Sequence, residues 1–124
     1  IYVQHMVAGA LELLVSAFRD PVFGVVISCG AGGNLTEVID DVVLERAPVS
    51  EPLARDMLAR LRVVRHASGD SPAVDLAAAA RFVGEFSRLA ATAPWPRFVL
   101  EVNPIRVSEE GAVAVDGLLV IDGP

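Results

Sequence analysis

Glu101, Asn103 and Asp116 carry side-chain oxygens at a spacing that one β-hairpin can bring together. Alternation along Phe98-Val99-Leu100-Glu101-Val102-Asn103 puts Phe98, Leu100 and Val102 on one face, leaving Glu101 and Asn103 on the other. If Ser108 to Gly111 form a four-residue loop, residue 107 pairs with residue 112 and the ladder sets Asp116 opposite Asn103. A three-residue loop would move Asp116 by one position and would need a bulge beside Pro104 to restore the facing. Directly opposed side chains stand about 5 Å apart, close enough to share a cation whose oxygen ligands lie about 2.1 Å away. That is the chemistry of magnesium-assisted phosphate binding. The plainer alternative is a hairpin in which Asn103-Pro104 only makes a bend.

Other residues invite chemistry less directly. Gly30-Ala31-Gly32-Gly33-Asn34 can bring backbone amides close to an anion, or can simply be a tight turn. Its spacing is not that of a dinucleotide fingerprint, because Leu35 stands where a third glycine is required, and it lacks the Gly-Lys-Ser/Thr ending of a P-loop. Glu12 interrupts an apolar strand; a buried unpaired carboxylate is costly, so it either meets a partner or reaches solvent from an edge strand. Arg19 could contact a phosphate through its planar donors or hold Asp20 or Asp40 in a surface pair. His5 and His66 have no Cys or second His at metal-ligand spacing, and both read as bland. Cys29 is the single cysteine; with no partner for a disulfide and no nearby base, it reads as a small buried hydrophobe.

The elements that must position these groups follow from pattern. Leu11 to Phe18 reads as a strand ended by Arg19-Asp20-Pro21, and Phe23 to Ser28 as a buried strand. Thr36 to Glu45 should contain short extended pieces around Glu37, Asp40 and Asp41. Ser50-Glu51-Pro52 starts a helix, with Ser as cap, Glu at the positive end of the dipole and Pro in the first turn. Leu53, Met57, Leu58 and Leu61 form its buried stripe. After a loop around Ala67 to Pro72, a second helix repeats Leu76, Ala79, Val83, Phe86 and Ala90 at three and four residues, with Arg81, Glu85 and Arg88 off the stripe. Ala93-Pro94-Trp95-Pro96 closes it, and the hairpin follows.

The 124 residues suit one domain or part of one. An apolar share of 53% with few aromatics predicts an α/β interior of Val, Leu, Ile and Ala. A net charge of −6 argues against a nucleic-acid partner. No apolar run reaches the length of a membrane span, and a cytoplasmic protein with no membrane partner fits. The chain opens at Ile1 and runs directly into strand-like sequence, which predicts a piece of a longer polypeptide.

The ordered segments across nearly the whole chain resemble the ATP-grasp part of NDP-forming acyl-CoA synthetases, relatives of ADP-forming acetate–CoA ligase and the succinyl-CoA synthetase beta subunit. The matching residues are Val3-Gln4-His5-Met6-Val7, Glu12-Leu13-Leu14, Arg19-Asp20-Pro21-Val22-Phe23-Gly24, Gly30-Ala31-Gly32-Gly33, Glu37, Ala47-Pro48, Glu101-Val102-Asn103-Pro104 and Val115-Asp116. The resemblance implies an ATP-grasp-like α/β subdomain, with a mixed, largely antiparallel sheet and two principal helices. Residues 1–124 would be the C-terminal portion of an ATP-grasp domain, its N-terminal lobe lying outside this chain.

By the same resemblance, Asn103, Asp116 and Glu101 would be magnesium ligands, and Glu101 and Arg19 would act at the phosphates. Gln4 would lie near the adenine, Glu12 would face the cleft, and Gly32, Gly33 and Glu37 would sit by the phosphates. The implied cofactors are ATP and Mg²⁺. The implied partners are the missing lobe, CoA-binding and ligase domains, CoA and a carboxylic acid. Neither His5 nor His66 matches the phosphorylated histidine of such enzymes, so the chain alone should be inactive; surface normally covered by the missing lobe would favour self-association. Ser68-Gly69-Asp70-Ser71 lacks the Arg-Gly common there in the family, which motivates a second reading, a non-catalytic ATP-grasp-like binding or scaffold module.

Overall fold

The computed structural model describes residues 11–32, 41–65, 76–108 and 110–121. Leu11, Leu13, Val15 and Ala17 alternate with Glu12, Leu14, Ser16 and Phe18, and this period of two makes the first strand, β1 (Leu11–Asp20), apolar on one face only. Asp20 then turns the chain: its carboxylate accepts from the Val22 and Phe23 amides at 2.8 and 2.9 Å. These amides, Phe23 foremost, hold the Asp20 carboxyl below the usual carboxylate range. Its contribution to the turn is therefore present above the unfolded-state pKa and lost as pH falls through the folded one. Gly24, at φ 78°, completes the turn in a conformation that favours glycine.

β2 (Gly24–Ala31) returns antiparallel to β1 and pairs in turn with β3 (Val42–Arg46). Two helices follow. In α1 (Glu51–Arg60) the Ser50 hydroxyl accepts from the Leu53 amide, Glu51 and Arg60 occupy the ends where the dipole favours their charges, and Pro52 sits in the first turn, where its missing N–H costs nothing. α2 (Leu76–Ala91) buries Ala79, Val83, Phe86 and Ala90. The buried Ser87 hydroxyl joins the second helix to the start of the first, accepting from the Val49 amide and donating to the Gly84 carbonyl, both at 2.8 Å.

β4 (Phe98–Ser108) then runs beside β1, and β5 (Gly111–Ala114) and β6 (Gly117–Ile121) both pair with β4. The sheet order is β3-β2-β1-β4-β5, with β6 beside β4, and every pairing is antiparallel. The helices cover the face presenting Leu13, Val15, Ile27, Ile105 and Val107, where the core lies. Along the opposite face the strands present Glu12, Ser16, Ser28, Glu101 and Arg106, and among the described residues no helix packs there. No helix among them is long and apolar enough to cross a membrane.

Two expectations change. β1 is a central strand, not an edge, so Glu12 does not reach solvent past an unpaired neighbour. Gly30 belongs to β2 and Gly32 follows directly, so this part of the glycine run is strand packing rather than a turn. A Cβ on Gly32 would stand 2.5 Å from the Leu13 carbonyl carbon, a distance that no packed pair tolerates. An extended piece does follow Asp41, as β3, and the buried Asp41 itself, 6% exposed, is a structural carboxylate: it accepts from the Arg62 and Val63 amides at 2.9 and 2.8 Å and so caps the helical turn at residues 62–65.

Cys29 is buried in the core, as its setting in an apolar strand predicts. Burial pushes its thiol up to about 12, from an ordinary value of 9.0. The thiolate that reacts with alkylating reagents is therefore scarce in the folded protein. At pH 8 Cys29 should be labelled only as fast as the chain opens, with the rate rising through the urea unfolding transition. Rapid stoichiometric labelling without denaturant would show that the thiol is accessible. The favourable contribution of the protonated thiol is present below the unfolded-state pKa and lost as pH rises through the folded one.

Candidate functional site

The hairpin places Asn103 and Asp116 opposite one another. Its ladder pairs Ser108 with Gly111, Val107 with Ala112 and Ile105 with Ala114, and resumes with Val102 opposite Gly117 and Glu101 opposite Leu118. Between these stretches the Asn103 amide donates to the Asp116 carbonyl at 3.1 Å, and the Val115 amide donates to the Pro104 carbonyl at 3.0 Å. The register is the one expected from a connection spanning Ser108 to Gly111.

Glu101, Asn103 and Asp116 line one groove of about 220 Å³ together with Gly117 and Leu118. The Gly117 amide donates to the Asp116 carboxylate at 2.9 Å, which fixes that side chain over the start of β6. Glu101 lies across from Ser16 on the face of β1 that carries Glu12. Two carboxylates and an amide are hard oxygen donors. Among the described residues no group of three or more His, Cys, Asp or Glu converges. The donor set therefore suits a small hard cation that keeps part of its shell for water or phosphate oxygens, the habit of magnesium.

The other expected site residues divide. Glu12 is on the same face as Glu101 but faces Arg106, whose guanidinium stands 4.0 Å from its carboxylate. The Gly32 amide donates to the Glu12 carbonyl at 3.0 Å, a contact internal to the sheet. Gln4, Gly33, Glu37, His5 and His66 lie outside the described residues.

Arg19 is not brought to the groove, and among the described residues it makes no ion pair with Asp20; Asp40 lies outside them. Its Nε and a terminal nitrogen donate to the carbonyls of Trp95 and Ala93 at 3.1 and 3.0 Å, and its guanidinium lies 5.7 Å from the Phe98 ring centroid. These carbonyls belong to the segment that leaves α2, so the guanidinium ties that segment to the end of β1. Arg19→Met should cost about 1–2 kcal/mol, the loss of two charge-assisted bonds in a partly exposed setting. Urea unfolding measures this, and undiminished stability would show that the clamp is idle.

Pattern reading did not place Arg106 on the open face, where the structure sets it opposite Glu12. Its signal is the bulge beside Pro104, which periodicity alone cannot place.

Residues 1–121 match the ATP-grasp domain. The chain belongs to the ATP-grasp family. Among curated relatives, the ATP-grasp chain is 36% identical to an ADP-forming acetate–CoA ligase I of Archaeoglobus fulgidus over 98% of its own length and 18% of that protein's. It is 28% identical to the beta subunit of ADP-forming acetate–CoA ligase I of Pyrococcus furiosus, covering 98% of itself and 53% of the subunit.

A solved relative, the dinucleotide-forming acetyl-coenzyme A synthetase 1 of Ca. Korarchaeum cryptofilum with coenzyme A and Mg-AMPPCP, superposes with a TM-score of 0.82 at 25% identity. The likeness covers 90% of the ATP-grasp chain and 53% of the solved chain. PH1788 of Pyrococcus horikoshii superposes equally well, at 0.82 and 26% identity, over 96% and 52% of the two chains. The ATP-grasp chain thus spans about half of the subunit-sized relatives and less than a fifth of the longer ligase.

Proposed function

We propose that this ATP-grasp chain is the later portion of the nucleotide-binding domain of an ADP-forming acid–CoA ligase, and forms one wall of a magnesium–nucleotide cleft. The observation that carries the reading is the cross-strand placement of Asn103 and Asp116, in one groove with Glu101, on a sheet face that no described helix covers. Names of the relatives, ADP-forming CoA ligases, support the reaction class: a carboxylic acid, CoA and ATP would give acyl-CoA, ADP and phosphate; the resemblance implies passage through an acyl phosphate and a phosphohistidine.

In that reaction this chain's residues bind and orient. Asn103, Asp116 and Glu101 would hold Mg²⁺, which supplies charge neutralisation on the transferring phosphoryl group. The hairpin keeps the three side chains in register, so no reorganisation is required when the nucleotide arrives. Exposed Val113, Leu118 and Val120 on one side of the polar strip, and Val42 and Leu44 on the other, are suited to contact with the first lobe and to exclusion of water from the cleft. The CoA-binding domains and the phosphorylated histidine would come from elsewhere in the assembly.

Calorimetry of the full-length gene product with ATP tests the reading. Binding in the presence of Mg²⁺ that is lost in EDTA is expected; equal binding with and without the metal would count against it.

A further inference from the structure

Strict alternation from Glu101 and Asn103 would send Arg106 to the helix-covered face. The structure does otherwise. Against β1, Val15 pairs with Val102 but Leu13 pairs with Ile105, so Leu14 alone stands opposite Asn103 and Pro104. This extra residue is a β-bulge, and it shifts the alternation of everything beyond it. Ile105 and Val107 thereby enter the core, and Arg106 faces Glu12 on the open face, on the same strand that carries Glu101 and Asn103 to the groove they share with Asp116.

We propose that Arg106 is a binding residue for the anionic phosphate tail of the nucleotide, tethered by Glu12; this rests on the nucleotide reading above and names a contact within it. Glu101, Asp116 and Glu12 put three carboxylates on this face, and a polyphosphate adds more negative charge than one magnesium ion cancels. A neighbouring cation is needed. Arginine presents a planar fork of donors that matches phosphate oxygens two at a time. The Arg106 side chain is 24% exposed and that of Glu12 40%, so the pair is partly shielded and its attraction outlasts salt screening better than a surface pair's. At 4.0 Å the two are an ion pair beyond hydrogen-bond length. Glu12 thus holds the guanidinium in place without using up its donors on that side.

The test is calorimetry of the full-length gene product carrying Arg106→Gln or Arg106→Lys, titrated with Mg²⁺ and AMPPCP, and separately with AMP. Arg106→Gln is expected to weaken AMPPCP on the order of tenfold, as loss of a charged hydrogen bond does, with AMP affinity unchanged. Arg106→Lys, which keeps the charge and loses the fork, should recover part of the loss. Glu12→Gln should weaken AMPPCP less than Arg106→Gln does. Unchanged AMPPCP affinity in Arg106→Gln, or an equal loss for AMPPCP and AMP in both variants, overturns the assignment and leaves the metal groove standing. Failure of the unsubstituted protein to bind Mg-AMPPCP removes both.

Discussion

Asp116→Asn in the full-length gene product lowers magnesium-dependent turnover on the order of 10²-fold or more, the scale of removing one preorganised electrostatic contact from a transition state. The change is nearly isosteric. It keeps an oxygen on Cγ, so the Gly117 amide can still donate to it, and Asp116 is exposed, so folding has little to lose. What disappears is one of two carboxylate charges in the groove. Asn103→Ala, which deletes the facing donor altogether, should act in the same direction.

Because a magnesium ligand serves both binding and the charge that develops during transfer, kcat should fall as well as kcat/KM. Raising the Mg²⁺ concentration should recover part of the loss in Asp116→Asn. A variant that turns over normally at limiting Mg²⁺ would remove Asp116 from the metal site. A variant whose loss is indifferent to Mg²⁺ would show that its role is positional.

Gly32→Ala is expected to destabilise the fold by about 3 kcal/mol, the upper part of the range for overpacking a filled interior. The added Cβ would stand 2.5 Å from the Leu13 carbonyl carbon and 2.6 Å from its oxygen. Both are main-chain atoms of the central strand. A flexible side chain could rotate away; β1 cannot move without disturbing its pairing with both β2 and β4. The Gly32 amide bond to the Glu12 carbonyl, 3.0 Å long, is the first contact such a shift would stretch.

Gly84→Ala is the control. It lies within α2, and its Cβ would meet nothing closer than the Val49 carbonyl oxygen at 3.5 Å, an ordinary contact. There the gain in helix propensity of up to about 1 kcal/mol should leave stability unchanged or raised. Urea midpoints at unchanged m-value read both variants. Equal stability of Gly32→Ala and the parent would show that the strands have slack at this point.

Much of this was legible in residue order because the interactions concerned are local. Leu11 to Phe18 alternates every second residue and is a strand; Leu76 to Ala90 repeats every third and fourth and is a helix. Ser50, Glu51 and Pro52 start α1 through bonds no more than one turn away. The Asn103–Asp116 facing could be counted from the hairpin connection, since a register error of one residue would reverse every side chain of the strand.

Glu12 and Arg19 were harder. Whether a carboxylate in a strand is at an edge depends on which strands flank it, and β1 acquires β4 as a neighbour only when the last third of the chain arrives. Cys29 and Gly32 show the same division: the bland role of the thiol follows from its apolar neighbours in sequence, whereas the need for Gly32 arises from Leu13 across the ladder.

The sequence by itself determined the main strands and helices and the pairing that sets two carboxylates and an amide on one hairpin, because periodicity, capping and turn length act within a few residues; β1 and β2 run past their expected ends, to Asp20 and Ala31. Tertiary structure decided which sheet face the helices would cover and which would stay open. It committed Arg19 to carbonyls 76 and 74 residues away, and it brought Arg106 to the open face through a bulge that exists only where β4 meets β1. These outcomes depend on how separately formed elements share one core, and no local pattern carries that information.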